Sequence, residues 1–373
     1  MADAAKGELR GGYTTGACAA AGVKACLLFL RGDYCDHVDI TALDGTLLHI
    51  PVKDVHRTEQ GARAEIVKFS GDDPDITNGV SVFTDIRMLP QGRGVVFLAG
   101  EGIGHVTKPG LSLPVGEPAI NPGPRELIRN VARDLLGDEG SLEVRISVPE
   151  GKELAGRTLN PILGIEGGIS VIGTTGVLRP MSEEGFKNAL VPQIDVAKAA
   201  GFSSQVFVPG KIGENIAVSW GLPREAVIQT SNFIGFMLEK AGDRGLESVL
   251  LFGHPGKLAK VAAGVFHTHN RVADGRMEAM AAYGAAEGLS MQDVRRVLAS
   301  VTTEEALAIL DEAGLAKRVC TALAERASFR AERYLFGKVK VGTVMVTLKG
   351  ELLGMDGKAQ RIGEALHWNL KWE

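Results

Sequence analysis

An alternation that begins near Gly168 and runs to Gly264 constrains this chain most: a short apolar run meets a small-residue loop and then a helical pattern, four times in succession. The first unit is Ile169–Ile172, then Gly173-Thr174-Thr175-Gly176, then a helix from near Ser182. The second is Gln205–Val208, then Pro209–Gly213, then a helix from Glu214. The third is Ala226–Gln229, Thr230-Ser231-Asn232 and Phe233–Ala241; the fourth is Ser248–Phe252, Gly253-His254-Pro255-Gly256 and Lys257–Val265. Short apolar strands that alternate with helices imply a parallel sheet. In such sheets ligands sit outside the carboxyl ends of the strands. The working surface is therefore expected on the loops between Gly173 and Asp274, in an α/β domain over residues 151–290.

Ahead of it the pattern is different. Runs of β type cover Val38–Thr41, Leu47–Val52, Ala64–Phe69, Val80–Ile86, Val95–Leu98 and Leu142–Val148, with a hairpin turn at Leu43-Asp44-Gly45-Thr46. Two helices are signalled. One follows Thr14 or Thr15 as cap and ends near Arg31-Gly32; the other opens at Asn121-Pro122-Gly123-Pro124, carries Leu127, Ile128, Val131 and Leu135 on one face, and closes at Gly137. Many strands with few helices indicate an α+β domain over residues 10–150. A third region, 291–373, opens with two capping boxes, Ser290…Asp293 and Thr302…Glu305, and ends in a hairpin of Val339–Leu348 and Glu351–Gly354. It is assigned to packing or to assembly into a homo-oligomer rather than to chemistry.

Composition removes several partners. A net charge of −4 leaves no basic excess for phosphate neutralisation, and 5% aromatic content leaves little for base stacking, so nucleic acid is not expected. The longest apolar stretch, Ala17–Leu30, is interrupted by Lys24 and is too short to span a bilayer, so no membrane partner is expected. Cys18, Cys26, Cys35 and Cys320 form no CxxC pair and read as reduced thiols; the N-terminus lacks a signal-peptide core. A soluble, cytoplasmic enzyme is expected.

Five motifs hold the polar chemistry. Gly100-Glu101-Gly102-Ile103-Gly104 mimics a dinucleotide loop, but Pro109, Gly110 and Pro114 forbid the long helix such a loop needs; it reads better as a rigid loop presenting His105 and Lys108. Gly253-His254-Pro255-Gly256-Lys257 lacks the spacer and the Ser/Thr of a phosphate loop. Gly173–Gly176 offers two hydroxyls between glycines, either to a ligand or as helix caps, with Arg179 just beyond to suit a carboxylate. His267, His269, Arg271 and Asp274 fall within one loop with no acidic or thiol ligand at metal-site spacing, so no metal is expected and a polar cluster with a histidine base is the alternative to a solvated turn. Arg125 stands at a helix start, as a ligand group or as part of simple helix initiation.

Taken together, Gly12-Tyr13-Thr14-Thr15-Gly16, Gly71-Asp72-Asp73-Pro74-Asp75, Gly100–Gly104, Gly116–Pro122, Gly173–Ser182, Ser231–Gly235, Gly253–Leu258 and Phe266–Asp274 resemble the cobalt-precorrin-5B C(1)-methyltransferases of anaerobic cobalamin (vitamin B12) biosynthesis. The resemblance runs from about residue 9 to residue 280, with Pro255, His267 and Asn270 departing from the family pattern. It implies methyl transfer from S-adenosyl-L-methionine to C1 of a tetrapyrrole that carries cobalt, giving cobalt-precorrin-6A. It also implies a fold other than the usual tetrapyrrole methyltransferase one.

Under that reading the donor is expected at Gly173, Thr174, Thr175, Gly176, Ser231 and Asn232. The corrinoid is expected between the domains, met by Tyr13, Thr14 and Thr15, with its carboxylates facing Lys108, Arg125, Arg179, Lys257 and Arg271. His254, His269 and Asp274 are the candidates for proton transfer. Two rivals make different predictions: a nucleotide-dependent phosphoryl-transfer enzyme would bind ATP with magnesium, and a corrinoid carrier would bind tetrapyrrole without methylating it.

Overall fold

The computed structural model describes residues 9–92 and 94–368. Residues 1–8, on which the absence of a signal-peptide core was read, lie outside the described residues. The chain divides into two compact units, Met1–Glu183 and Glu184–Glu373. Residues 151–183, expected to open the second domain, thus belong to the first unit.

In the first unit, helix α1 (Thr15–Arg31) is capped by Thr14, whose hydroxyl accepts from the Ala17 N–H, and ends at Gly32 with φ 93°. Strands β1 (His37–Thr41) and β2 (Leu47–Pro51) form the expected hairpin. Strands β3 (Asp54–Arg57), β4 (Ala62–Val67), β5 (Ser81–Met88) and β6 (Val95–Ala99), with β7 (Leu142–Ser147) after helix α2 (Pro122–Leu136), make a sheet in the order β3-β4-β5-β7-β6. All its junctions are antiparallel except β7 with β6. Along β5 buried residues alternate with half-buried ones, so one face turns to the core. Ala17, Ala19, Ala20 and Ala21 of α1 are fully buried. Small residues let this helix lie close to the sheet: a Cβ at Gly22 would stand 2.5 Å from the Thr84 hydroxyl. No helix follows Gly104; His105 and Val106 instead pair with Glu166 and Ile165.

The second unit is built on strands β8 (Ser204–Val208), β9 (Val227–Gln229), β10 (Ser248–Gly253), β11 (Lys340–Val346) and β12 (Leu352–Met355), in the order β9-β8-β10-β11-β12. The first three junctions are parallel and the last antiparallel. Helices α3 (Lys211–Ser219), α4 (Ile234–Asp243) and α5 (Pro255–Ala262) follow β8, β9 and β10, as three of the four expected units require. β8 and β10 are buried along their whole length, which is what cover on both faces produces.

The first expected unit is not part of this sheet. Ile169 and Val171 bridge Ile103 and Ile120 inside the first unit, and Val177-Leu178 pair with Tyr13-Gly12. A four-residue apolar run has the same composition in a buried loop as in a buried strand, so periodicity does not separate the two. The remaining parallel strand is β11. It does form the terminal hairpin with β12, and it also lies beside β10, so the region after residue 291 is structural core of the second unit. Helices α6 (Arg276–Ala286), α7 (Met291–Ala299), α8 (Thr303–Glu312) and α9 (Ala316–Tyr334) fill the sequence between β10 and β11. Ser290 and Thr302 cap α7 and α8 through the N–H groups of Asp293 and Glu305.

The architecture is therefore an α+β unit followed by an α/β unit with a mostly parallel sheet.

Candidate active site

The spatial order of the second sheet reverses between β8 and β10, because β9 lies outside β8. Crevices form at such switch points, where adjacent strand-end loops leave in opposite directions. A cleft of about 450 Å³ lies there, lined by Pro209–Gly213 after β8, Gly253, His254 and Lys257 around β10, and Val346–Leu348 after β11. Sites for small molecules commonly measure roughly 300–1,000 Å³. Ile212, Ile216 and Leu348 give it an apolar wall; Asn270, Arg276, Thr303 and Glu304 complete it.

His254 caps α5. Its Nδ1 accepts from the Gly256 N–H at 3.1 Å, and its Nε2 faces Glu304 Oε1 at 3.5 Å. Burial lowers its pKa below the usual 6.5; Glu304 opposes the shift and Arg276 adds to it. The ring is thus neutral at pH 7, with the proton on Nε2. Lys257 Nζ donates to Asn232 Oδ1 and, at 3.5 Å, to the Thr268 carbonyl. Burial, then Lys260 and Arg276, lower its pKa.

Asn232 ties its own loop to helix α5 and to loop 266–274, because its side chain accepts from Lys257 and its carbonyl accepts from the Thr268 N–H at 2.9 Å. Ser231 beside it has φ 52°, a left-handed conformation uncommon for a side-chain-bearing residue that costs about 1–3 kcal/mol. The bonds of Thr230 to the Val208 carbonyl and those of Asn232 hold it there.

Loop 266–274 is organised by Lys260, which has no solvent exposure. Its ammonium donates to the Thr268 carbonyl (3.2 Å), Asn270 Oδ1 (2.6 Å) and the Ala273 carbonyl (3.0 Å), with Asp274 at 3.8 Å. Asp274 is gripped by Arg276 through Nε (3.0 Å) and Nη2 (2.9 Å). Burial opposes ionisation of Asp274, but the Arg276 hydrogen bonds and nearby Lys260 outweigh it and hold the carboxyl below the ordinary range. His269 and Arg271 are exposed, and His269 Nδ1 accepts from the Arg271 N–H at 3.2 Å. His254 and His269 thus each turn Nδ1 to a backbone N–H, and Asp274 turns both oxygens to Arg276.

The other expected site residues lie in the first unit. The Tyr13 hydroxyl donates to the Val67 carbonyl at 3.1 Å, and burial, with a smaller contribution from Cys18, pushes its pKa up to about 12. The Thr15 hydroxyl accepts from the Ile172 N–H (2.9 Å) and donates to the Ile172 carbonyl (3.2 Å). Thr14 N–H donates to the Gly176 carbonyl, and the Thr175 hydroxyl accepts from the Val177 N–H. Gly173–Gly176 is thus the brace of the α1 N-terminus, with Thr174 exposed, and it belongs to a different unit from Ser231 and Asn232. Its Thr175 hydroxyl closes a local turn onto the Val177 N–H, while α1 itself is capped by Thr14.

Arg125 is largely spent on structure: it donates to the Ile120 carbonyl, Glu117 and the Pro118 carbonyl, and lies over the Phe97 ring. Arg179 is 77% exposed and reaches Asp44 only at 3.5 Å, so it keeps donors for a ligand. The half-buried Lys108 lies along Gly164, where a Cβ would meet its stem at 2.4 Å.

Sequence reading passed over Lys260 and Glu304. Lys260 had a signal, a lone lysine inside the buried run Leu258-Ala259-Lys260-Val261-Ala262. Glu304 had none, since only the tertiary fold brings the start of α8 to the ends of β8 and β10. Among the described residues no group of three or more His, Cys, Asp or Glu could hold a metal ion, and no helix is long and apolar enough to cross a membrane.

Comparison with known proteins matches residues 2–180 to the CbiD family model and residues 267–357 to that of the CbiD C-terminal domain. A cobalt-precorrin-5B C(1)-methyltransferase from Moorella thermoacetica is 47% identical over 95% of this chain and 97% of its own length. One from Methanocaldococcus jannaschii is 45% identical over 92% and 95%. A crystal structure of cobalamin biosynthesis protein (cbiD) from Archaeoglobus fulgidus is 25% identical and covers 72% of this chain and 84% of its own, at a TM-score of 0.38. With both family models matched in order and relatives of this identity along nearly the whole length, the chain belongs to the CbiD family.

Proposed function

We propose that this chain methylates C1 of cobalt-precorrin-5B with S-adenosyl-L-methionine, giving cobalt-precorrin-6A in anaerobic cobalamin biosynthesis. The observation that carries the reading is the identity of 47% over 95% of the chain to a relative of that name. The strand-end cleft supplies a place for the donor in the second unit. Its volume suits the donor, Ile212, Ile216 and Leu348 suit the adenosyl group, and Lys257 suits the methionine carboxylate. The site is drawn on Lys257, His254 and the Ser231-Asn232 loop that orients Lys257, and it leaves out Gly173–Gly176.

The donor supplies a methyl group already activated by positive charge on sulfur. The protein's share is alignment of carbon with carbon and exclusion of water, the effects that make a bound displacement fast. His254, a neutral ring, lines one side of the cleft. Exposed Arg271, in the same unit as the cleft, is suited to peripheral carboxylates of the tetrapyrrole, whose cobalt arrives with the substrate. The test is incubation of the full chain with cobalt-precorrin-5B and methyl-labelled S-adenosylmethionine. Expected is one labelled methyl in the corrinoid by mass analysis; a corrinoid of unchanged mass rejects the function.

A further inference from the structure

The cleft's charges sort into pairs with two left over. Lys211 is held by Glu214 at 2.7 Å, and Arg276 is held by Asp274. Lys257 lines the cleft with only neutral oxygens as hydrogen-bond partners. Glu304 is the single carboxylate among the lining residues. It is 55% exposed, and its ionic neighbour, His254, is neutral at pH 7 for the reasons given above. The cleft thus offers one cation without a carboxylate partner and one carboxylate without a cationic partner. A ligand with an anionic end and a cationic centre complements that arrangement; a plain polyanion does not.

We propose that Glu304 is a donor-recognition residue that reads the positive charge of the methyl donor's sulfonium, while Lys257 reads its carboxylate. The inference rests on the donor site proposed above and adds a consequence that site alone does not have. Methyl transfer converts the sulfonium into a neutral thioether. A carboxylate facing the sulfur therefore favours the charged donor over its spent product and speeds exchange of one for the other. The Lys257 contact is the same before and after transfer, so it cannot discriminate. Its place on the cleft wall, 3.5 Å from His254 Nε2, separates Glu304 from an ordinary exposed glutamate at the start of a helix.

The experiment is calorimetric titration of the full chain with S-adenosylmethionine and, separately, with S-adenosylhomocysteine. Three proteins are compared: the natural chain, Glu304→Gln and Lys257→Met. Expected for Glu304→Gln is about tenfold weaker binding of S-adenosylmethionine, with S-adenosylhomocysteine within about twofold of the natural chain. Lys257→Met should weaken both ligands alike. Thermal unfolding of each variant checks the fold, and Glu304→Asp, which keeps the charge, should retain part of the preference. Equal weakening of both ligands by Glu304→Gln, or no weakening of either, overturns the role of Glu304. Natural chain that binds both ligands with affinities untouched by Lys257→Met overturns the location of the donor site instead, and with it the inference.

Discussion

Lys260 is a charge without solvent, stabilised by three oxygens of one loop. Removing the ammonium takes a charged donor from all three acceptors at once, which costs more than a single surface bond contributes. Lys260→Met should therefore destabilise the chain by about 2–4 kcal/mol in denaturant unfolding, with loop 266–274 losing its hydrogen-exchange protection first. A loss within about 0.5 kcal/mol, the usual range for surface changes, would contradict this account. His254 makes a second prediction, of opposite kind, because its charge is what the fold resists. Its folded pKa lies below its unfolded value, so as pH falls through about 6.5 the unfolded chain takes up protons first. Stability contributed by neutral His254 is complete above that pH and is lost as pH drops toward the folded value. Protonation also removes the acceptor that caps α5. His254→Asn keeps a capping acceptor that does not titrate. Between about pH 5 and 8 its melting temperature should fall less steeply on acidification than that of the natural chain, and parallel curves would refute the assignment.

At the scale of elements, the sequence is most legible where a segment's neighbours along the chain determine its shape. The caps at Thr14, Ser290 and Thr302, the stop at Gly32, the β1–β2 turn and the three strand–loop–helix units over β8, β9 and β10 were all readable from local spacing. Ile169–Ile172 was not, because its partners are Ile103 and Ile120, far away in sequence, and an apolar run does not encode which surface covers it. Gly173–Gly176 has the composition of a ligand loop, yet its Gly176 carbonyl is taken by the Thr14 N–H at the start of α1 and its Thr175 hydroxyl by the Val177 N–H. Thr174→Ala with Thr175→Ala is therefore expected to leave S-adenosylmethionine affinity within about twofold in calorimetry, a change below 0.5 kcal/mol. Gly173→Ala is expected to cost stability instead. A Cβ there would stand 2.2 Å from the Thr14 hydroxyl, on a backbone with φ 140°. About 1–3 kcal/mol of destabilisation should appear in denaturant unfolding, and an unchanged midpoint would show that the brace is not rigid.

For the molecule as a whole, residues 291–373 were the part assigned to packing or assembly, and two facts alter that picture. Glu304 stands at the cleft, and β11 occupies an interior position of the second sheet with β10 on one side and β12 on the other. A parallel partner separated by five helices leaves no local trace in a sequence, whereas the β11–β12 hairpin does, so the hairpin alone was legible. The consequence is that the second unit cannot be shortened at its end. Val341, Val344, Met345, Val346, Leu366 and Trp368 are each at most 5% exposed. At about 1.5–3 kcal/mol per buried side chain their loss is comparable to the whole stability of a domain, roughly 5–15 kcal/mol. A chain ending at Lys338 would also leave β10 with an open hydrogen-bonding edge along Ser248–Gly253, a template for aggregation. Such a chain should lose cooperative unfolding of the second unit, expose its β8 and β10 amides to rapid hydrogen exchange, and bind no S-adenosylmethionine. Amides within the first unit, whose sheet and helix α1 contain no residue beyond 183, should retain their protection. Protection of β10 in the shortened chain equal to that in the full one would mean that β11 is an appendage after all.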